Sequence, residues 1–329
     1  MTERVVVLGG GTGLFTALSG LRQHSVELTA VVSMADNGGS TGRLRDEFGY
    51  LPAGDVRRCL VALASDDSAG MLLRQLFEYR FARGTGLAGH TFGNLMLTAL
   101  TDITGGMDTA VLEAAHLLRV HGQVLPVTLE DTHLYAELVD GQTLAGETTI
   151  DTRGEGPAIK CVYLNPVPET TSQVRSALEE ASMIVIGPGD LYTSVVPTLL
   201  VDGVRDAIRQ SCATTVYVCN VMTKHGETDG YAASIFLQVI TEYLGPDVLQ
   251  GAILSYYPTL PADVQARYQM EKAAPVEIDI ENCRKYAPHL MVRPLAAAGT
   301  LVRHDSDQLA RALLDFLGER PPARDSAAS

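Results

Sequence analysis

The segment Val5-Val-Val-Leu-Gly-Gly-Gly-Thr-Gly-Leu14 decides the fold, because it passes from a β-branched apolar run through glycines into a helical pattern. Val5 to Leu8 has the composition of a strand buried on both faces, as in a parallel sheet. Leu14 to Leu21 follows with apolar residues at helical spacing. Glycines at such a turn let backbone N–H groups and the helix N-terminus approach a phosphate. The segment therefore predicts a β-turn-α unit with a diphosphate-binding turn formed by Gly10, Gly11, Thr12 and Gly13.

Outward from this unit, strand and helix patterns alternate along most of the chain. The predicted strands are Leu28 to Ser33, Ile159 to Leu164, Met183 to Ile186 and Val216 to Asn220. The predicted helices are Gly54 to Ala64, Leu95 to Thr104, Thr109 to Leu118, Ser172 to Ser182 and Gly203 to Arg209. This alternation is typical of the α/β class, and predicts a Rossmann-like open, mainly parallel sheet with helices on both faces.

The alternation is interrupted in the middle of the chain. Val124 to Val127, Leu134 to Val139 and Glu147 to Ile150 are short strand patterns, with Asp140-Gly141 as a turn signal. They predict a small antiparallel insert near residues 124–150 within a single large domain of residues 1–318. Residues 319–329 contain two prolines among small polar residues, which predicts a disordered tail.

Composition and charge exclude several classes of partner. The 329 residues carry 39 acidic and 25 basic side chains, a net charge of −14, which disfavours nucleic acid and anionic membrane surfaces as partners. The five cysteines form no C-x-x-C pair, so neither a disulfide framework nor a thiolate metal site is indicated, and a reducing cytoplasm fits best. Met183 to Val201 is apolar but contains two prolines and Asp190, so no transmembrane segment is predicted.

A second glycine-rich stretch, Asn37-Gly-Gly-Ser-Thr-Gly-Arg43, follows the second predicted strand. Its candidate ligand-binding residues are Asn37, Ser40, Thr41 and Arg43, which supply polar and guanidinium donors for a phosphate. Asp36 follows Gly13 by 23 residues, close to the spacing of a ribose-binding acid in dinucleotide-binding domains. This spacing keeps an NAD-binding oxidoreductase as an alternative, while an ordinary loop acid explains Asp36 as well.

Three further loops offer polar groups next to strands or helices. Their candidate ligand-binding residues are Asn94, Gly187, Gly189, Tyr192, Thr193, Ser194 and Asn220. In a doubly wound sheet, loops at the carboxyl ends of neighbouring strands face one crevice, and a diphosphate-bearing ligand would suit it. Capping is the expected role of Asp55, and Thr91 or Asn94 is expected to cap the helix that follows His90.

Together these motifs closely resemble the bacterial gluconeogenesis factor family, which is related to the CofD-like phospholactate transferases of coenzyme F420 synthesis. The resemblance runs from about Val5 to about Phe316, and its motifs are Gly9 to Leu14, Ala35 to Arg45, Pro52 to Arg57, Gly89 to Asn94, Ile186 to Ser194 and Cys219 to Thr223. The family shares a Rossmann-like fold, and no catalytic reaction is generally assigned to it.

The resemblance implies a cytoplasmic protein that binds UDP-N-acetylglucosamine or a related UDP-sugar. It implies support for cell-wall precursor synthesis, cell shape and growth on gluconeogenic carbon sources, with no required cofactor. Tyr268 and Arg303 match positions that the family uses for the nucleotide sugar, with Tyr268 suited to stacking on uracil and Arg303 to the diphosphate. A cell-wall precursor enzyme is a candidate partner, and a homo-oligomer stays open.

Several residues depart from the family pattern. Asn37 stands where Asp is usual, which removes one carboxylate from a potential divalent-metal pair with Asp36. Asp190 replaces the usual Ser, and Arg58 is a candidate to offset its charge. Thr198 replaces the usual Asn and is a candidate ligand contact, and Ser306, where some relatives carry a phosphorylatable Thr, is expected to cap the last helix.

These observations leave two leading hypotheses. The first is a UDP-sugar-binding regulatory protein that is not an enzyme. The alternative is a magnesium-dependent transferase of the phospholactate transferase type, which would use a guanosine diphosphate ester and a deazaflavin acceptor, with Asp36 as the metal ligand.

Overall fold

The computed structural model describes residues 2–257, 261–298 and 301–319. Its strands are β1 (Glu3–Gly9), β2 (Val26–Val32), β3 (Gln123–Pro126), β4 (His133–Leu138), β5 (Thr143–Ala145), β6 (Ile159–Asn165), β7 (Met183–Ile186), β8 (Thr214–Val218), β9 (Gly251–Ser255), β10 (His289–Arg293), β11 (Ala296–Ala298) and β12 (Val302–His304).

Its α-helices are α1 (Gly11–Leu21), α2 (Gly39–Phe48), α3 (Gly54–Leu63), α4 (Ser68–Glu78), α5 (Phe92–Thr104), α6 (Met107–Leu118), α7 (Glu147–Asp151), α8 (Ser172–Glu179), α9 (Val196–Leu199), α10 (Val204–Gln210), α11 (Ala233–Leu244), α12 (Ala262–Met270), α13 (Ile280–Cys283) and α14 (Ser306–Glu319). A π-helical turn, Leu191–Val195, precedes α9.

The central sheet has seven strands in the order β10-β9-β8-β7-β1-β2-β3, all paired in parallel. From β1 the chain builds outward through β2 to β3, then returns to the other side of β1 and builds outward through β7 to β10. The point where the direction reverses lies between β1 and β7. In open α/β sheets such a switch point forms a crevice at the carboxyl ends of the strands.

The opening segment folds as its pattern predicts. Val5 to Leu8 is buried on both faces, between β7 on one side and β2 on the other. Leu14, Leu18 and Leu21 form the buried face of α1, which packs against α3 and α14. The fold class, a Rossmann-like α/β protein with a mainly parallel open sheet, is therefore confirmed.

The predicted antiparallel insert is correct in kind and wrong in its bounds. β3 joins the central sheet beside β2, with Leu125 opposite Val31, whereas the antiparallel sheet has the order β5-β4-β6 and spans residues 133–165. The strand Ile159–Asn165 thus belongs to the insert. A short apolar strand carries no mark of the sheet that it joins, so only tertiary pairing separates these cases.

Glu147 to Ile150 forms helix α7 instead of the predicted strand. The Oδ1 atom of Asn37 accepts a hydrogen bond of 2.8 Å from the N–H of Thr148 in the first turn, which satisfies a donor that the helix leaves free. This contact spans 111 residues of sequence, and the β-branched composition of the segment gave no sign of it.

The segments that were predicted as helices all form helices, and their ends agree with the prediction to within about three residues. Thr91 caps α5 as expected, because its Oγ1 accepts from the N–H of Asn94. Ser306 does not cap α14, since the N–H of Gln308 donates to Asp305 at 2.9 Å and Ser306 is the first helical residue. Except for Glu319, the predicted tail lies outside the described residues.

Candidate functional site

A cleft of about 460 Å³ opens at the carboxyl edge of the central sheet, beside the switch point between β1 and β7. It is the principal pocket of the described residues, and we refer to it as the cleft. Loops that follow β1, β7 and β8 form its walls, together with α12 and β12. Its lining includes Gly10, Gly11, Thr12, Gly13, Gly189, Asp190, Ser194, Asn220, Lys224, His225, Tyr268, Glu271, Arg303 and His304.

The two glycine loops meet at the switch point. A Cβ atom on Gly13 would overlap the carbonyl oxygen of Pro188, so only glycine permits this approach. Gly187 has φ +74°, a left-handed conformation that favours glycine. The sequence prediction that Gly10 to Gly13 and the Gly187 loop face one crevice agrees with this geometry, although Gly187 itself does not line the cleft.

The N-terminus of α1 already has an acidic neighbour. Oδ2 of the buried Asp55 accepts a hydrogen bond of 2.8 Å from the N–H of Gly11. The expected capping role of Asp55 is therefore wrong, because α3 begins at Gly54 without a side-chain cap. Asp55 instead supports the β1 glycine loop from beneath and uses one of its backbone donors.

Three carboxylates gather between this loop and the second glycine stretch, and we call Asp36, Asp55 and Glu147 the acidic cluster. Burial, and then the charge of Asp36, raises the pKa of Asp55 to about 6. Burial followed by the charges of Asp36 and Asp151 raises the pKa of Glu147 to about 8. The cluster therefore carries less than its formal charge at neutral pH.

Lys224 is the hub of an ion cluster in the cleft wall. Its Nζ lies 2.8 Å from Oδ2 of Asp190 and 2.9 Å from Oε1 of Glu227, and it also contacts Asp151. Burial would lower the pKa of Lys224, but these carboxylates raise it overall. Burial raises the pKa of Glu227 to about 7 despite the opposing charge of Lys224.

This ion cluster corrects one expectation and limits another. Lys224 is the cation that offsets Asp190, whereas Arg58 lies 3.3 Å from Asp55. Among the described residues, Asp151, Asp190 and Glu227 are the group whose carboxylates converge as metal ligands do. The ammonium of Lys224 pairs with all three, so a resident cation is already supplied by the chain.

The far wall of the cleft carries the two residues implied by the family resemblance. The hydroxyl of the largely buried Tyr268 accepts a hydrogen bond of 2.7 Å from the N–H of Val302. This bond ties α12 to β12, which presents the exposed Arg303 to the cleft. Tyr268 and Arg303 thus both line the cleft.

The second glycine stretch is arranged differently, because its polar side chains bond to one another. Ser40 Oγ lies 3.0 Å from Nδ1 of His90, and the Asn94 amide donates to Ser40 and Thr41 while its Oδ1 accepts from Arg57 Nε at 2.9 Å. All five side chains are buried. We call Ser40, Thr41, Arg57, His90 and Asn94 the β2-side network, and none of its members lines the cleft.

The remaining predicted residues of this stretch are also held by protein contacts. Asp36 Oδ1 accepts from the N–H of Gly38 at 2.8 Å, Asn37 caps α7, and Arg43 donates to the carbonyl of Ala88 at 3.0 Å. Arg43 is exposed. Asp36 lies close to Gly54 and Thr41, at the boundary between the acidic cluster and the β2-side network.

In the loop after β7, only some predicted residues reach the cleft. Gly189 and Ser194 line it. Tyr192 is buried with its hydroxyl 3.0 Å from that of Tyr231, and Thr193 donates to Glu227 at 3.2 Å. Thr198 is fully buried, where it donates to the carbonyl of Val195 at 2.7 Å, so it does not reach the cleft.

The polar residues of the cleft that sequence reasoning missed include Lys224, His225, Glu271 and His304. Lys224 and His225 directly follow the quoted motif that ends at Thr223, so their position after β8 was a usable signal. Glu271 and His304 had no such signal, because they reach the cleft through the packing of α12 and β12.

The doubly wound sheet, with two glycine loops opposed at its switch point, defines a Rossmann-like α/β protein with a cleft at the carboxyl edge. The family model described as 2-phospho-L-lactate transferase CofD matches residues 5–296. The gluconeogenesis factor of Halalkalibacterium halodurans is 46% identical over 280 residues, covering 84% of each chain, and that of Bacillus subtilis is 39% identical over 96% of this chain and 98% of its own. A putative gluconeogenesis factor from Nostoc is 45% identical over 96% of this chain and 69% of its own.

A crystal structure of a protein from Bacillus halodurans superimposes with a TM-score of 0.90 at 41% identity, covering 95% of this chain and all of that one. The chain therefore belongs to the CofD family, and within it to the gluconeogenesis factors. The family resemblance stated from the motifs is confirmed. In the part of the chain that the structure describes, no helix has the length and apolar character needed to cross a membrane.

Proposed function

We propose that the cleft binds a UDP-sugar, foremost UDP-N-acetylglucosamine, and that the protein acts as a regulatory factor rather than an enzyme. Through a partner, such as a cell-wall precursor enzyme, the bound state would support cell-wall precursor supply, cell shape and growth on gluconeogenic carbon sources. The observation that carries the proposal is the opposition of the β1 glycine loop to a wall that holds Tyr268 and Arg303.

The chemistry of the cleft suits a diphosphate flanked by two uncharged groups. The β1 glycine loop offers helix N-terminal donors other than that of Gly11, which Asp55 already uses. Arg303 would meet the diphosphate charge from the opposite wall, whereas the charge of Lys224 is already paired with Asp151, Asp190 and Glu227. Tyr268 adds an aromatic surface for the base.

Titration calorimetry with UDP-N-acetylglucosamine tests this proposal, with UDP-glucose, GDP and NADH as comparison ligands. We expect saturable UDP-sugar binding that weakens about ten- to hundredfold in Arg303→Ala, because a charge-assisted hydrogen bond is worth about 1.5–3 kcal/mol. Arg284→Ala is the matched control, since Arg284 is exposed and pairs with Glu281 at 3.0 Å. Absence of saturable binding to the wild-type protein at millimolar UDP-sugar would refute the proposal.

A phospholactate transferase activity is the second candidate, favoured by the description of the matching family model. Carboxylate oxygens are the ligands that Mg²⁺ prefers, and Asp36 and Asp55 both belong to the acidic cluster, where burial and then the charge of Asp36 raise the pKa of Asp55. Asp36 and Asp55 would hold the ion, which would supply positive charge to the diphosphate. Asn37 would not contribute, because its Oδ1 accepts from Thr148.

Incubation with guanylated phospholactate, a deazaflavin acceptor and Mg²⁺ tests this second candidate. Turnover that disappears in Asp36→Asn and persists in Asp140→Asn, an exposed turn carboxylate, would establish it. If the wild-type preparation binds a UDP-sugar but forms no product, the transferase function is contradicted and only the regulatory function stands.

A further inference from the structure

Two buried polar atoms at the cleft have no partner among the described residues. They are Nε2 of His304 and Oδ1 of Asn220. A buried acceptor without a partner costs about 1–3 kcal/mol, so such atoms in a folded protein call for an explanation. Because both residues line the cleft, a group that enters with a ligand is the natural partner.

The protonation state of His304 is fixed by its surroundings. Burial lowers the pKa of His304 to about 4, so the imidazole is neutral at neutral pH. The ring also hydrogen-bonds to the backbone of Cys219, whose N–H is already used by the carbonyl of Ile253. The carbonyl of Cys219 therefore accepts from the ring, the proton lies on Nδ1, and Nε2 presents a lone pair.

Arg303 precedes His304 on β12 and is exposed, whereas His304 is buried, so the two side chains lie on opposite faces of the strand. The neutral state of the imidazole therefore follows from its burial. Since Nε2 is an acceptor, it requires an uncharged O–H or N–H donor from the ligand, and a phosphate oxygen could not supply one.

The position of His304 and Asn220 indicates which part of a nucleotide sugar they would meet. Asn220 follows β8, which lies two places from β1 in the sheet, about 10 Å away at the usual strand spacing. We expect the diphosphate at the β1 loop, so Asn220, which follows β8, would meet the part of the ligand next to the diphosphate. Tyr268, whose ring would stack on the base, lies on the same wall. This part of the ligand is therefore expected to be the ribose of the nucleoside.

We propose that Nε2 of His304 and Oδ1 of Asn220 accept hydrogen bonds from the two hydroxyls of the ligand's ribose. The assignment rests on the proposed function, since it presumes a nucleoside diphosphate ligand. A vicinal diol carries two neutral donors, which matches two unpartnered acceptors. The site would thus distinguish ribonucleotides from deoxyribonucleotides without using a carboxylate side chain to bind the ribose hydroxyls.

Titration calorimetry with UDP and 2′,3′-dideoxy-UDP tests the assignment. The wild-type protein should bind UDP at least about tenfold more tightly than the dideoxy compound, from two hydrogen bonds of about 1 kcal/mol each. In His304→Asn, the shorter amide can still reach the Cys219 carbonyl but places no acceptor at the position of Nε2. The ratio of the affinity for UDP to that for the dideoxy compound should therefore fall about three- to tenfold. In His304→Gln, the longer amide reaches the position of Nε2, so part of the wild-type ratio should be recovered.

The control His116→Asn changes an exposed histidine on α6 and should leave the ratio unchanged. A ratio in His304→Asn equal to that of the wild type overturns the assignment, as does weaker binding of both ligands by the same factor. If UDP-N-acetylglucosamine binds to the wild type while loss of the ribose hydroxyls has no effect, His304 does not contact the ribose. If neither UDP nor UDP-N-acetylglucosamine binds to the wild type, the proposed function itself fails.

Discussion

The cleft and the β2-side network are both rich in glycine, hydroxyl, amide and guanidinium groups, yet they use them in opposite ways. In the cleft, the Oδ1 atom of Asn220 and the Nε2 atom of His304 have no partner among the described residues. In the β2-side network, Asn94 alone bonds to Ser40, Thr41 and Arg57. The same residue types therefore leave polar atoms unpaired in one region and bond to one another in the other.

The largest expected effect lies at the junction of the glycine loops. Gly13→Ala would drive a methyl group into the carbonyl oxygen of Pro188, and a backbone oxygen in a packed loop cannot move aside cheaply. We expect the free energy of unfolding to fall by about 3 kcal/mol or more and UDP-sugar binding to be lost. Thermal unfolding and calorimetry provide the two readouts.

Gly154→Ala is the matched control, because no heavy atom lies within 4 Å of its new Cβ and its φ is not positive. We expect it to keep both stability and binding. Wild-type stability and affinity in Gly13→Ala would contradict the close approach of the two loops.

The next effect separates the two regions directly. Asn94→Ala removes the partner of Arg57 Nε and leaves buried donors unsatisfied, so the free energy of unfolding should fall by about 2–3 kcal/mol. The affinity for the UDP-sugar should change less than threefold, measured well below the unfolding temperature. Arg303→Ala should have the converse effect, with about ten- to hundredfold weaker UDP-sugar binding and an unchanged free energy of unfolding.

A large loss of affinity in Asn94→Ala, with little change in stability, would contradict the division between the regions. Ser40, Thr41 and Asn94 would then belong to the ligand site, as the sequence predicted.

The smallest expected effect concerns pH and the acidic cluster, which lies between the two regions. The pKa of Glu147 is about 8 in the folded protein and near 4.5 when unfolded, so the folded state binds more protons between these values. Its contribution to stability is therefore present at low pH and is lost as pH rises from about 4.5 to 8. Partial exposure reduces the effect to about 1–2 kcal/mol.

Glu147→Gln mimics the protonated side chain and should stabilise the protein by about that amount at pH 9, with almost no effect at pH 4.5. Chemical unfolding at the two pH values measures it. Glu113→Gln, an exposed position on α6, serves as the control. Equal effects of Glu147→Gln at both pH values would contradict the raised pKa of Glu147, which burial and then the charge of Asp36 cause.

The sequence predicted the middle strands β2, β1, β7 and β8 of the sheet, since runs such as Val5 to Leu8 and Met183 to Ile186 have the length and apolar composition of buried strands, but it did not predict β9 or β10. It could not place Ile159–Asn165, because pairing with β4 instead of the central sheet depends on contacts distant in sequence. The sequence also predicted the loop Gly10 to Gly13, which lines the cleft, because the glycine spacing is visible in the sequence itself.

Side-chain roles were harder to predict. Ser40 and Asn94 have the chemistry of ligand contacts, but nothing in their spacing shows that His90 and Arg57 already satisfy them. Lys224 and His304 gave the opposite error, since both line the cleft and neither was predicted. Lys224 directly follows the motif that ends at Thr223, whereas only the packing of β12 brings His304 to the cleft.

Hydrogen–deuterium exchange with and without UDP-N-acetylglucosamine tests most directly whether the cleft, rather than the β2-side network, is the ligand site. We predict slower exchange in residues 10–13, 188–194, 220–225 and 301–305, with residues 40–45 and 90–94 unchanged. Protection confined to residues 40–45 and 90–94, or no protection at saturating ligand, would contradict the account.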